Sequence, residues 1–195
     1  MQYILDHWLE IFGVITGLLF LYFEIRASIW LWPVGLISAM ALAIVLFVSK
    51  FYADMGLQLY YVVISVYGWI RWAGGKSENS NVGLPIVHIE KRQILILSFI
   101  TIGLNIAIYK ILVLFTDSPI PGWDSFTTAL SITATWMLTR KILEQWWLWI
   151  VVNFVTLGLY MYKDLYFLSF MYLVYGVMSV TGLINWSRMK RRNHE

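Results

Sequence analysis

The feature that most constrains this chain is a recurrence of apolar runs that a soluble core of this size cannot absorb. Seven are present, over residues 8–23, 29–48, 54–71, 93–115, 125–139, 146–162 and 165–186. About 17–25 apolar residues suffice for a helix to cross a hydrocarbon core roughly 30 Å thick. Every backbone amide in that medium must be paired within the chain, so each run is expected to be an α-helix. Composition agrees: 60% of residues are apolar, 13% are charged, and mean hydropathy is +0.71. Those values lie outside the soluble range. The chain is therefore expected to be an all-α integral membrane protein, one membrane domain over 1–195 with no separate soluble part. Neither a basic segment nor a small-residue cleavage site precedes the first run, which is expected to be retained.

The net charge of +3 conceals an asymmetry. If seven helices alternate in direction, one side of the membrane receives Arg26, Arg71, Lys76, Lys91, Arg92, Arg140, Lys141, Arg188, Lys190, Arg191 and Arg192. The other side receives Lys50 and Lys163, while Lys110 sits in the outer part of the fourth run and can snorkel outward. The positive-inside rule then puts the N-terminus outside and the C-terminus in the cytoplasm. The basic tail reads as a topology determinant against anionic lipid, with no need for nucleic acid.

Sliding the chain along itself by 114 positions pairs Arg26 with Arg140, Trp32 with Trp146, Tyr61 with Tyr175, Ser65 with Ser179, Gly68 with Gly182 and Trp72 with Trp186. Positions 61, 65, 68 and 72 share one helical stripe, and so do their partners. Two three-helix repeats are expected, 8–72 and 123–186, joined by a linker helix over 93–115. One intervening crossing makes the repeats parallel, related by an axis along the membrane normal. The polar stretch 73–90 is expected to be a flexible cytoplasmic loop without a site. Pro33 falls inside the second run and is expected to kink it. Pro119 and Pro121, with Asp117, mark the loop before the second repeat.

Trp146, Trp149 and Asn153 carry the most specific chemistry. At about 3.6 residues per turn, spacings of three and seven turn all three side chains into a narrow arc. Two indoles and an amide can hold a flat ring and read its substituent, as a site for a small aromatic solute would. An interfacial aromatic belt explains Trp146 and its neighbour Trp147 equally well, and explains Asn153 not at all. Gln58, an intramembrane amide, shares a stripe with Tyr61 and Ser65, and Tyr175 and Ser179 lie at the equivalent stripe of the other repeat. Such groups either converge on a solute or bond helix to helix. Gly68 and Gly182 read as points of close helix approach.

The missing groups also inform. No Asp or Glu falls at the middle of any run, so facilitated diffusion is favoured over ion coupling. Asp54 and Asp164, at outer helix starts, read as solvated residues favoured by the helix dipole. His7, His88 and His194 lie outside the runs, cysteine is absent, and no Gly-rich phosphate loop occurs, so neither an enzyme, a metal site nor a cofactor is expected. The last run, 165–186, contains no lysine for a retinal Schiff base.

Phe51-Tyr-Ala-Asp-Met-Gly-Leu-Gln58, Tyr67-Gly-Trp-Ile-Arg-Trp72, Trp123-Asp-Ser125, Thr139-Arg-Lys141 with Glu144, and Trp146-x-x-Trp149-x-x-x-Asn153 together resemble the PnuC-type vitamin transporters of bacteria. The resemblance covers nearly the whole chain. It implies seven helices in a 3+1+3 arrangement similar to SWEET sugar transporters, a homotrimer in the inner membrane, and no enzymatic activity. It also implies facilitated uptake of an unphosphorylated vitamin that a cytoplasmic kinase then traps. Trp146, Trp149 and Asn153 would line the solute pocket, with Gln58 opposite and Tyr61 and Tyr175 nearby. Nicotinamide riboside, a pyridinium cation, is the typical solute; thiamine, another flat cation that suits the same indoles, is the alternative, and riboflavin is carried by other relatives. A membrane receptor that binds without transport is the alternative from another class.

Overall fold

The computed structural model describes residues 8–48, 52–75, 84–116, 118–162, 164 and 166–192. Lys50, Lys76, Lys163, Asp117, His7 and His194, and residues 76–83 of the polar loop, lie outside the described residues. Seven α-helices are present, with no β-strand among the described residues. One compact unit, Met1–Pro85, holds α1 (Trp8–Ile25), α2 (Leu31–Val48) and α3 (Tyr52–Gly74). The other, Ile86–Glu195, holds α4 (Lys91–Phe115), α5 (Pro121–Thr139), α6 (Gln145–Tyr162) and α7 (Tyr166–Arg192). Within the first, α2 packs on α1 and α3; within the second, α5 packs on α4 and α6, and α6 on α7.

Helix ends follow local chemistry. α5 begins at Pro121 rather than 125, because a proline in the first turn has no N–H that the helix would need. α7 continues past residue 186 to Arg192, its last turn carrying Lys190, Arg191 and Arg192 against the negative end of the helix dipole. Pro33 is the third residue of α2, so the N–H it lacks belongs to the first turn, where amides have no intrahelical acceptor anyway. α4 and the stretch 168–192 of α7, each 25 residues, are long and apolar enough to cross a bilayer. α4 exposes Leu95, Phe99, Leu114 and Phe115, each more than 60% accessible, as a lipid-facing helix would.

The corners after α1 and after α5 share one construction. Ala27 (φ 50°) and Lys141 (φ 51°) both take the left-handed conformation. Ala27 N–H donates to Glu24 O at 2.9 Å and Ser28 N–H to Phe23 O at 2.9 Å. Lys141 N–H donates to Leu138 O at 2.9 Å and Ile142 N–H to Met137 O at 3.1 Å. Each is a Schellman closure formed without glycine. A cation lies over an aromatic ring at both corners: Arg26 over Tyr22 at 4.7 Å and Arg140 over Trp136 at 4.3 Å.

The stretch expected to be a flexible loop is ordered over its last residues. Val87 N–H donates to Lys141 O at 3.0 Å, and Leu143 N–H to Val87 O at 2.9 Å. Glu144 accepts from Ile89 N–H at 2.9 Å and pairs with His88 Nδ1 at 2.7 Å. This strap ties the start of α4 to the turn that launches α6. Thr139, Arg140 and Glu144 of the sequence motif thus belong to a structural corner.

A Trp–Gly contact locks a helix pair in each unit. In the first, Trp32 is 1% exposed, and a Cβ on Gly68 would fall 2.3 Å from its Cη2. In the second, Trp146 is fully buried, and a Cβ on Gly182 would fall 2.4 Å from its Cη2. Each indole also meets a second one edge-on, Trp72 at 5.4 Å and Trp186 at 5.7 Å. Only glycine lets the helix backbone approach a ring so closely.

Two outcomes test this account. Gly182→Ala should lower the unfolding midpoint in detergent by an amount corresponding to about 1–3 kcal/mol of overpacking, despite the better helix propensity of alanine. Gly158→Ala, where nothing lies within 4 Å, should be neutral or stabilising. Separately, burial pushes the Lys141 ammonium down to about 8 from 10.5. Below the lower value it is charged in both states and burial opposes folding. Between the two values only the folded state has lost the proton, so stability rises with pH. The wild type should therefore gain stability relative to Lys141→Met between about pH 8 and 10.5, and a flat difference would refute the burial effect.

Candidate functional site

α6 starts from the strapped corner, so its first turns have a fixed direction. Gln145, its first residue, is fully buried, and its Oε1 accepts the Trp149 indole N–H at 3.0 Å. Trp149 itself is partly accessible. Its N–H is engaged within the helix, which leaves the face of the ring as its remaining means of recognition. Trp146 is closed in by Gly182 and Trp186.

One turn beyond Trp149, Asn153 is 6% exposed, and its Nδ2 donates to Ser179 Oγ of α7 at 3.0 Å. Ser179 in turn donates to Tyr175 O at 2.8 Å. The Tyr175 ring is half-buried and meets Tyr172 edge-on at 5.9 Å. The structure thus brings Trp146, Trp149, Asn153 and Tyr175 onto the single α6–α7 pair of the second unit.

Gln58 and Tyr61 lie on α3 of the first unit, both half-buried, with Tyr61 5.4 Å from the Tyr60 ring. Ser65, one turn further, is 4% exposed, and a Cβ on Gly35 would come within 3.3 Å of its Oγ. Here α2 and α3 approach through small residues, without an amide between them. Asp164 has φ 59°, its Oδ1 accepts from the Tyr166 hydroxyl at 2.8 Å and its N–H donates to Met161 O at 3.1 Å, so its backbone closes the end of α6. The side chain of Asp54 lies outside the described residues.

Sequence reasoning did not single out Gln145. Its signal was the four-residue spacing to Trp149, which places acceptor and indole one turn apart. Ser179 was legible only as a polar residue of a helix stripe, and its bond to Asn153 depends on how two helices meet.

Residues 7–188 match the family described as nicotinamide mononucleotide transporter. The nicotinamide riboside transporter PnuC of Neisseria mucosa is 30% identical over 96% of this chain and 75% of its own length. The riboflavin/roseoflavin transporter RibM of Streptomyces davaonensis is 26% identical over 95% of this chain and 87% of its own. A crystal structure of the vitamin B3 transporter PnuC superposes with a TM-score of 0.75 at 28% identity, over 96% of this chain and 83% of that one. With a match that runs from the first helix to the last, the chain belongs to the nicotinamide mononucleotide transporter family and is a multi-pass membrane vitamin transporter, not an enzyme.

Proposed function

We propose that this chain carries nicotinamide riboside across the inner membrane by facilitated diffusion. The observation that carries the reading is the pairing of Trp149 and Asn153 on α6. The indole keeps its N–H on Gln145 and has its face to offer, beside an amide held at near-complete burial by Ser179. A pyridinium ring suits an indole through stacking and through a cation–π attraction of about 0.5–2 kcal/mol. Its carboxamide and ribose hydroxyls suit an amide. Tyr175 lies on the same helix pair, Gln58 and Tyr61 keep the solute-binding role that the family resemblance implies, and Trp146, given the same role, is sealed by Gly182 and Trp186. The PnuC relatives support the solute class.

The same proposal includes an N-terminus outside and a C-terminus in the cytoplasm, supported by the clustering of basic residues. Two parallel three-helix repeats, 8–72 and 123–186 with 93–115 as linker, are supported by the shared Trp–Gly contacts and left-handed corners at positions 114 apart. A homotrimer and a cytoplasmic kinase complete it; phosphorylation adds charge and would hold the product inside. A flavin is the second reading for the solute, favoured by the similarity to RibM.

Counterflow into proteoliposomes tests the function. Labelled nicotinamide riboside should accumulate against internal unlabelled nicotinamide riboside, and riboflavin and thiamine should compete poorly. Trp149→Ala should raise half-saturation about tenfold, since losing a stacked aromatic costs about 1–3 kcal/mol. Exchange driven only by riboflavin or thiamine would reassign the solute, and binding without exchange would point to a receptor. Wild-type exchange in a folded Trp149→Ala protein would take the indole out of the site.

A further inference from the structure

The direction of the hydrogen bonds between α6 and α7 settles more than their presence. A serine hydroxyl has one proton. That of Ser179 goes to the Tyr175 carbonyl at 2.8 Å, an atom that can only accept. Towards Asn153, Ser179 Oγ is then an acceptor, so the amide must turn its NH2 to the serine, as the 3.0 Å Nδ2–Oγ bond has it. The order Asn153 Nδ2–H, Ser179 Oγ–H, Tyr175 O is a one-way relay. The reverse orientation would bring two acceptors together in a low-dielectric interior, or withdraw the serine proton from the Tyr175 carbonyl and leave that oxygen with its helix bond alone.

The relay fixes which atom Asn153 has left. Its Oδ1 has no hydrogen-bond partner among the described residues. Among the described residues, the partnerless side-chain polar atoms that are sealed from solvent are Trp32 Nε1, Arg71 Nε, Arg140 Nε and Trp146 Nε1, and Asn153 Oδ1 is not one of them. The neighbouring indole N–H that could have served an acceptor group is held by Gln145. The α6–α7 face therefore presents a ring whose N–H is taken and an acceptor, Asn153 Oδ1, while both amide protons of Asn153 stay on the nitrogen that faces Ser179. Nothing comparable is built 114 positions earlier, where Ala39 and Gly35 stand in the places of Asn153 and Trp149 beside Ser65.

We infer that Ser179 is a positioning residue that makes the site selective for solutes carrying an N–H or O–H donor next to a flat ring, through the Oδ1 of Asn153. For the proposed solute this donor is the carboxamide NH2. The inference rests on the proposed role of Asn153 in solute binding.

The test uses two pyridinium ribosides of equal charge and similar shape. Nicotinamide riboside carries the NH2, and 3-acetylpyridine riboside has a methyl group in its place, so that its ring substituent can only accept while the ribose hydroxyls are the same in both. Dissociation constants are measured on purified protein, and their ratio within one variant is independent of the folded fraction. Wild type should prefer nicotinamide riboside by about tenfold or more, as sites that pair a solute N–H reject analogues lacking it. Ser179→Ala frees the amide to turn, so the preference should fall by at least about threefold, mainly through tighter binding of the acetyl analogue. Ser179→Thr keeps the hydroxyl and should restore the preference. An unchanged preference in Ser179→Ala, with the preference abolished in Asn153→Ala, would overturn the relay while leaving Asn153 in the site. Unchanged affinities for both ribosides in Asn153→Ala would instead remove Asn153 from the site and the inference with it.

Discussion

Apolar side chains gain nothing by moving from lipid into a helix interface, because the two surroundings are equally apolar. Helices in a bilayer are held by close van der Waals approach and by the few hydrogen bonds that cross between them. The second unit uses both on one helix pair. Gly182 admits the Trp146 ring to its backbone near the start of α6, and Asn153 bonds Ser179 two turns further on. α4 and α5 are joined by Thr101 and Thr133 at 2.7 Å, and α1 and α2 by Thr16 and Ser38 at 3.0 Å. Short polar side chains at helix crossings thus recur in both units.

Position along α6 decides what each group can do. The first turn is immobilised by the Val87 strap, the left-handed Lys141 and the buried Gln145. Trp146 then faces the packed interior, and Trp149, three residues later, reaches accessible space. The two rings share one arc of the helix, and what separates them is the neighbour each meets: Gly182 and Trp186 close in Trp146. A ring held through its N–H by a buried Gln145 has less freedom left to lose, which would limit the entropy cost of binding in the proposed site.

Much of the fold was legible because lipid imposes a coarse requirement. Each helix needs a long apolar run, and every run in this chain became one. What escaped depends on geometry that periodicity does not encode. Pro33 was read as a kink because the run was started at residue 29, whereas α2 starts at Leu31 and places the proline in a turn that tolerates it. The strap at 86–89 has no periodic signature and pairs with residues more than fifty positions away. In the candidate site, the face shared by Trp149 and Asn153 followed from spacing alone. The sealing of Trp146 did not, since it required knowing that Gly182 lies against the ring.

The occupied N–H of Trp149 bears on how such a protein can change its diet. In the proposed site, a ring that contributes only its face would place no demand on where heteroatoms sit in the molecule stacked against it. Larger or smaller aromatic systems can be accommodated by altering the walls around them, leaving Gln145, Trp149 and the corner beneath them untouched. A lineage built on this helix can therefore diverge from pyridine to flavin nutrients in small steps, each intermediate still folded and still inserted in the membrane.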